Sequence, residues 1–249
     1  MRALITNDDG VGSDGIALLA RAALDAGLEV VVAAPHEERS GASASLTGLG
    51  VDDRLGIELT RIAGLPDVTA YAVQASPALI AFVATRGAFG DPPDVVLSGI
   101  NHGPNTGAAV LHSGTVGAAL TAMTHGVPAM ALSSIATRPK HWDTAEHVAH
   151  LAVTWMIANL TVDAVINVNI PDVPRSDFAG IVPASLARHG AVQAEIGDRG
   201  EGFVTVRFDE IAAEGGDSDA SFLARNWATV TALRAPSEVD SVDLSTLRE

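Results

Sequence analysis

The 249-residue chain is long enough for one large α/β domain, or a domain with an appendage, and for a sizeable buried core. Its net charge of −15, with Lys140 the only lysine, opposes binding to nucleic-acid polymers or anionic membranes, where Lys and Arg must displace counterions. The absence of Cys excludes disulfides, thiolate metal sites and thiol catalysis. Hydrophobic residues make up 47% but aromatics only 4%, so Ala, Val, Leu and Ile must build the core. No apolar run approaches the ~18 residues of a membrane-spanning helix. The stretch after Met1 turns polar too soon for a secretion signal, and a cytoplasmic protein is expected. Without such a signal, the glycosylation triplet Asn159-Leu160-Thr161 is a chance match. An acidic chain that handles a phosphate ester needs local help, from backbone amides or from a cation.

Residues 2–6 form a short apolar run, and Ile16, Leu19, Ala20, Ala23 and Leu24 give residues 15–26 helical spacing. Residues 28–33, LEVVVA, predict a strand buried on both faces. Pro35 opens a polar loop, rich in Gly and Ser, that runs to Gly50. Residues 56–62 and 68–73 are expected to pair around the turn Gly64-Leu65-Pro66-Asp67. Ser76 is placed to cap a helix that begins on Pro77 and reaches Arg86. A buried strand at 95–98 then runs into a loop rich in Gly and Asn. Helices at 113–124 and 144–159 and strands at 128–133 and 162–168 continue the alternation, which implies a parallel sheet with right-handed crossovers. Past Pro171 the pattern changes. Strand-like pieces at 181–187, 203–208 and 227–233 sit between turns rich in Gly and Asp, and 235–249 is a polar tail. An antiparallel appendage is expected from about residue 172, with no second catalytic domain.

Ligands of open α/β sheets bind beyond the carboxyl ends of the strands. Three loops leave such ends, at 7–15, 35–47 and 99–117. The first reads NDDGVGSDG. Adjacent carboxylates at a strand end repel unless a cation neutralises them, and hard oxygen ligands at Asp8 and Asp9 favour Mg²⁺, Mn²⁺ or Ca²⁺. The plainer alternative makes Asp14 or Asp8 a helix cap and Asp9 a solvated turn residue. Gly10-x-Gly12-x-x-Gly15 also has the spacing of a dinucleotide fingerprint, and Glu37 stands where a ribose-binding acid would sit. Against that, Asp8, Asp9 and Asp14 would confront a pyrophosphate.

The second loop, PHEERSGASASLTG, offers Arg39, Ser40, Ser43, Ser45 and Thr47. A Ser hydroxyl completes the shell of a hard cation, and a guanidinium meets phosphate bidentately. The bland alternative is a flexible surface loop. The third, SGINHGPNTGAAVLHSGTVGAA, supplies Asn101 and Asn105, with Gly99, Gly103 and Gly107 for close backbone approach. Ser113-Gly114-Thr115 opens a helix whose free N–H groups and dipole suit a phosphate, or, more simply, Ser113 is an N-cap and the two Asn residues shape turns. His36, His102 and His112 lie in these loops and are candidate proton donors near neutral pH. No His pair has zinc-like spacing beside Asp8 and Asp9; His141, His147 and His150 are expected on the surface or on a helix face. No Gly-x-Ser-x-Gly elbow exists, which opposes a serine hydrolase.

Taken in order, NDDGVGSDGI, ERSGASASLT, SGINHGPNTG and HSGTVGAA resemble the SurE proteins, metal-dependent nucleoside-monophosphate phosphatases. GVPAMALS (126–133), NVNIP (167–171) and GGDSDASFLARNWATVTAL (215–233) extend the resemblance over most of the chain. It implies an α/β fold: a Rossmann-like three-layer core with a mostly parallel sheet over residues 1–171. A β-rich C-terminal extension over 172–249 would follow, exchanged between subunits of a homodimer or homotetramer. It further implies one divalent ion, Mg²⁺ or Mn²⁺, held by Asp8, Asp9, Ser40 and Asn101, with Asp8, Asp9 and Asn101 as the catalytic set. The substrate phosphate would meet Asn105, Ser113, Gly114 and Thr115. The implied substrate is a small phosphate monoester, foremost a nucleoside 5′-monophosphate. A pathway-specific ester, or a nucleotide- or dinucleotide-binding module without turnover, are the alternatives. The chain departs from the family pattern at four places. His112 stands for the usual Tyr, Thr121 for a common Glu, Ala75-Ser76-Pro77 for Gly-Thr-Pro, and Leu79-Ile80 for Asp-Cys. These departures bear on the leaving group, because pocket walls set specificity.

Overall fold

Strand β1 (Arg2–Thr6) sends Ala3 and Ile5 to one face and Leu4 to the other, and each face carries its own helix layer. This arrangement is that of a computed structural model, described over residues 1–188, 192–210 and 216–237. Helices α1 (Asp14–Asp25) and α4 (Trp142–Ala158) bury Ile16, Leu19, Val148 and Met156 with Ala3, Ile5 and Leu97 on one side. Helices α2 (Pro77–Ala84) and α3 (Gly114–Thr124) bury Ile80, Val116 and Ala122 with Leu4, Val31 and Val96 on the other. Between them run β2 (Glu29–Pro35), β3 (Ile57–Ile62), β4 (Leu65–Val73), β5 (Val95–His102), β6 (Ala129–Ser134) and β7 (Val165–Ile170). β6 and β7 are buried along their whole length, as strands covered on both faces must be.

The nine-stranded sheet has the order β3-β4-β2-β1-β5-β6-β7-β11-β8, completed by β8 (Gly180–Pro183) and β11 (Trp227–Leu233). From β4 through β7 every neighbouring pair is parallel. Strand order reverses direction between β1 and β5, the crevice where such sheets take ligands. This is a Rossmann-like three-layer fold with a mostly parallel sheet.

Beyond Ile170 the chain does not leave the sheet. β11 pairs antiparallel with β7, and β8 parallel with β11. Only β9 (Val192–Gly200) and β10 (Phe203–Glu210) form a separate antiparallel hairpin. The short helix α5 (Asp219–Leu223) precedes β11. Several boundaries shift from those expected. β5 continues to His102 because its register against β6 breaks between Ser98 and Asn101, an irregularity that re-aims the strand without ending it. The β3–β4 turn is tighter than Gly64-Leu65-Pro66-Asp67, since Ile62 already pairs with Leu65. Pro66 is tolerated there because pairing with β2 begins only at Thr69. β8 ends at Pro183 instead of running to 187. Most of the polar tail lies outside the described residues.

Candidate active site

Three segments meet at the β1–β5 crevice, each fixed by hydrogen bonds that its sequence supplies. After β1, Asn7 organises the first loop. Its side-chain amide donates to the Gly10 carbonyl at 3.1 Å and the Ser13 hydroxyl at 2.7 Å, and its Oδ1 accepts the Gly10 N–H. Ser13 then caps α1 by accepting from the Ile16 N–H. Gly15 passes so close to β5 that a Cβ there would lie 2.1 Å from the Ile100 carbonyl oxygen. The second loop is tied back to both others. The Arg39 N–H donates to the Asp8 carbonyl at 2.7 Å, and Ser43 donates through its N–H to His112 and through its hydroxyl to Leu111.

Asp8 is 4% exposed and sits at the start of α3. The Gly114 N–H reaches its Oδ2 at 3.1 Å and the Thr115 hydroxyl its Oδ1 at 2.5 Å. A Cβ on Gly114 would come within 2.7 Å of that carboxylate, so only glycine allows the approach. Burial pushes the Asp8 pKa up, opposed by the Thr115 hydroxyl and by the Thr115 and Gly114 amides. Asp9 accepts the His102 N–H at 3.2 and 3.4 Å, with the His102 Nδ1 3.8 Å away. Its pKa is pushed up to about 6, chiefly by burial, with the Asp8 and Glu38 charges adding and His102 opposing. Two adjacent carboxylates, one buried and one half-buried, whose ionised forms are disfavoured by burial make a site that favours a positive guest.

Asn101 donates through Nδ2 to the Gly103 carbonyl at 2.8 Å, and its Oδ1 lies 3.4 Å from the Thr115 hydroxyl. That hydroxyl has one proton and gives it to Asp8, which leaves the Asn101 Oδ1 lone pairs open. Ser40 is exposed and donates to the Glu38 carboxylate at 2.6 Å. Asp9 and Ser40 line a cleft of about 580 Å³ with Gly10, Ser13, His36, His102 and Thr137. Asp8 and Asn101 meet beside it at Thr115. The four expected metal ligands are thus knitted in pairs through chain neighbours: Asp9 through His102 to Asn101, and Asp8 through Arg39 to Ser40.

The residues expected at the substrate phosphate are engaged otherwise in this structure. Ser113 caps α3 by accepting the Val116 N–H at 3.1 Å, and Gly114 and Thr115 face Asp8. Asn105 is buried and donates to the Ser133 hydroxyl, while its carbonyl accepts from Asn167 and Asn169. Arg39 pairs with Glu37 at 3.0 Å on the surface, where a pair contributes little and can open. Of the departures from the family pattern, Thr121 bonds back to the Gly117 carbonyl within α3 and Leu79 and Ile80 are core residues, so none of the three faces the cleft. Asn7, Thr115 as a partner of Asp8, and the Asn105 network went unread in the sequence. Only Asn7 carried a local signal there, an Asn followed by a Gly-rich turn.

The profile of the family described as survival protein SurE matches residues 3–193 of this chain. The chain belongs to the SurE family. Among its SurE relatives, the 5′-nucleotidase SurE of Stenotrophomonas maltophilia is 41% identical over 195 residues, spanning 77% of this chain and 72% of the relative. The 5′-nucleotidase SurE of Synechococcus elongatus is 35% identical over 249 residues, covering 94% of this chain and 93% of the relative. The crystal structure of the SurE protein from Aquifex aeolicus superposes with a TM-score of 0.83 at 27% identity, covering 99% of this chain and 98% of that one. Among the described residues of this SurE-family chain, no helix is long and apolar enough to cross a membrane.

Proposed function

We propose that the chain is a divalent-metal-dependent phosphomonoesterase that hydrolyses nucleoside 5′-monophosphates in the cytoplasm. The observation that carries this is the carboxylate pair at the switch point of a parallel sheet, Asp8 buried and Asp9 half-buried, with Asp9 opening on a cleft large enough for a nucleotide. The relatives named 5′-nucleotidase supply the substrate class.

The donor set fits one hard cation. Asp8 and Asp9 give carboxylate oxygens, Asn101 an amide oxygen with open lone pairs, and Ser40 a hydroxyl; sulfur is absent from the set. Among the described residues no cluster of three His, Asp or Glu side chains could hold a metal ion. The neutral oxygens of Ser40 and Asn101 are therefore essential to the proposal. When bound, Mg²⁺ or Mn²⁺ supplies Lewis-acid charge to the phosphoryl oxygens and lowers the pKa of a water.

The chain's own groups do the positioning. Gly114 and Thr115 fix the Asp8 carboxylate and favour its ionised form against the opposing effect of burial, so the positive end of α3 acts on the reaction through that carboxylate. Asp9, held by the His102 N–H, orients the attacking water. Arg39 is free to exchange its surface partner Glu37 for a phosphate. His36 and His102 line the cleft and are the candidate acids for the leaving oxygen. Within residues 172–249, β8 and β11 complete the core sheet and the hairpin β9–β10 serves assembly by meeting a second copy.

The test is phosphate release from nucleoside 5′-monophosphates and a panel of other phosphate esters, with Mn²⁺ or Mg²⁺ and with EDTA. Release that needs the cation and is fastest with the nucleotides is expected. Full activity in EDTA, or tight nucleotide binding without any release, would remove the assignment.

A further inference from the structure

Asp219 opens α5, far from the first three loops in sequence, and is 0% exposed. A carboxylate buried without partners is costly. This one accepts three backbone N–H groups: Ala187 and Ala220 on Oδ1 at 2.8 Å each, and Gly107 on Oδ2 at 2.9 Å. Its own N–H donates to the Ser185 carbonyl at 2.8 Å. Ala187, Ala220 and Ser185 bind the C-terminal segment to itself. Gly107 belongs to the loop between β5 and α3, 112 residues upstream, and lies beyond anything that local packing of α5 requires.

The Gly107 bond matters because Gly107 leads the chain into the site. It starts a single 3₁₀ segment, Gly107–His112, and the next residue is Ser113, the cap of α3. On the other side, Asn105 is fixed by Ser133, Asn167 and Asn169. The loop thus has two anchors two residues apart, one in the parallel sheet and one in Asp219. Downstream it delivers the Gly114 amide and the Thr115 hydroxyl to Asp8.

We propose that Asp219 is a positioning residue for this site. Through the Gly107 N–H it sets the loop that aims the start of α3 at Asp8, so the C-terminal segment completes the catalytic arrangement. The kinetic consequence rests on the phosphatase assignment, but the hold on the loop does not.

Asp219→Asn is a selective probe. Its carbonyl oxygen can keep the Ala187 and Ala220 donors, and its amide then places a donor against the Gly107 N–H. The full-length variant should stay folded by circular dichroism, while hydrogen exchange across residues 105–113 speeds up. Turnover of a nucleoside 5′-monophosphate with Mn²⁺ should fall by about ten- to a hundredfold, with a much smaller change in KM, as when a remote change misplaces a reacting group. A merely structural role would lower thermal stability and spare kcat of the folded fraction. In wild type, the Gly107 amide should exchange more slowly than the amides of the turn after it, a measurement that needs no variant to fold. A freely exchanging Gly107 amide in wild type overturns the proposal, as does an Asp219→Asn protein that releases this amide yet keeps wild-type kcat. A wild type inactive on every ester, with a protected Gly107 amide that Asp219→Asn releases, would overturn the phosphatase assignment and leave the hold of Asp219 on the loop standing.

Discussion

Asp8 and Asp9 are neighbours in sequence but are held by different parts of the chain, Asp8 by the start of α3 and Asp9 by the end of β5. Asp8→Asn and Asp9→Asn should each lower metal-dependent turnover by orders of magnitude with the fold intact, because each removes charge from a two-carboxylate site. Wild-type rates in either variant at saturating metal would show that the cation sits elsewhere. The same burial makes a prediction for the metal-free protein. Asp9 is raised from 3.8 to about 6, so between these values the folded state binds more protons than the unfolded one. Stability is then greatest at the acid side of that window and falls as pH rises through it, the reverse of an ordinary salt-bridged Asp. Urea midpoints in EDTA should drop from pH 4 to pH 7, and the drop should shrink in Asp9→Asn. Excess metal should offset it, by ~2.7 kcal/mol at a hundredfold excess over the dissociation constant. Asp8, Asp9 and Asn101 were legible as candidates because each follows an apolar strand, and strand ends of a parallel sheet share one edge. The partners of those residues were not. No pattern in Ser113-Gly114-Thr115 says whether its donors meet a carboxylate of the chain or a phosphate of a ligand, and Asp219 acts across 112 residues.

At the level of elements, α3 illustrates a conflict between local preference and site geometry. Gly114 and Gly117 lie in its first turns, where Ala would favour the helix by about 1 kcal/mol per position. Gly114→Ala should nevertheless impair the protein, because its Cβ would lie 2.7 Å from Asp8 Oδ2 and displace the carboxylate. Metal affinity or turnover should fall by about 10- to 100-fold, the range for loss of a group that orients a ligand. Titration calorimetry with Mn²⁺ checks this; unchanged affinity would mean that Asp8 tolerates the shift or is no ligand. The parallel core could be read from sequence because its strands are continuous apolar runs and two of its helices carry clear caps, Ser76 and Ser113. Two elements could not. β9 contains Glu195, Gly197, Asp198 and Arg199, which break any alternation, and it exists only by pairing with β10. Helix α5 has five residues, too few to show a period. The run at 227–233 was recognisable as a strand, but its place beside β7 is a tertiary choice that no local pattern encodes.

For the whole molecule, the hairpin β9–β10 poses the unsolved packing problem. Ile196, Phe203, Val204 and Val206 are exposed on it, with Phe203 at 62%, and two strands alone are marginally stable in water. Exposed apolar side chains gathered on one hairpin suit an association site, and closed symmetric dimers are the commonest outcome. Charge works the other way. Each chain carries −15, so two copies repel at long range, and association must come from apolar burial. This gives the expected assembly a signature. Added salt shortens the Debye length to about 3 Å at 1 M and screens the repulsion, so a dimer built through the hairpin should tighten with salt, whereas one held by ion pairs would loosen. Light scattering of the full-length chain should report a dimer or larger species whose dissociation constant falls from low to high salt. Replacing Ile196 and Phe203 together by Asp should shift it to monomer with the core still folded. A stable monomer at every salt concentration, or a double variant that assembles as wild type does, would rule out the hairpin as the joining surface.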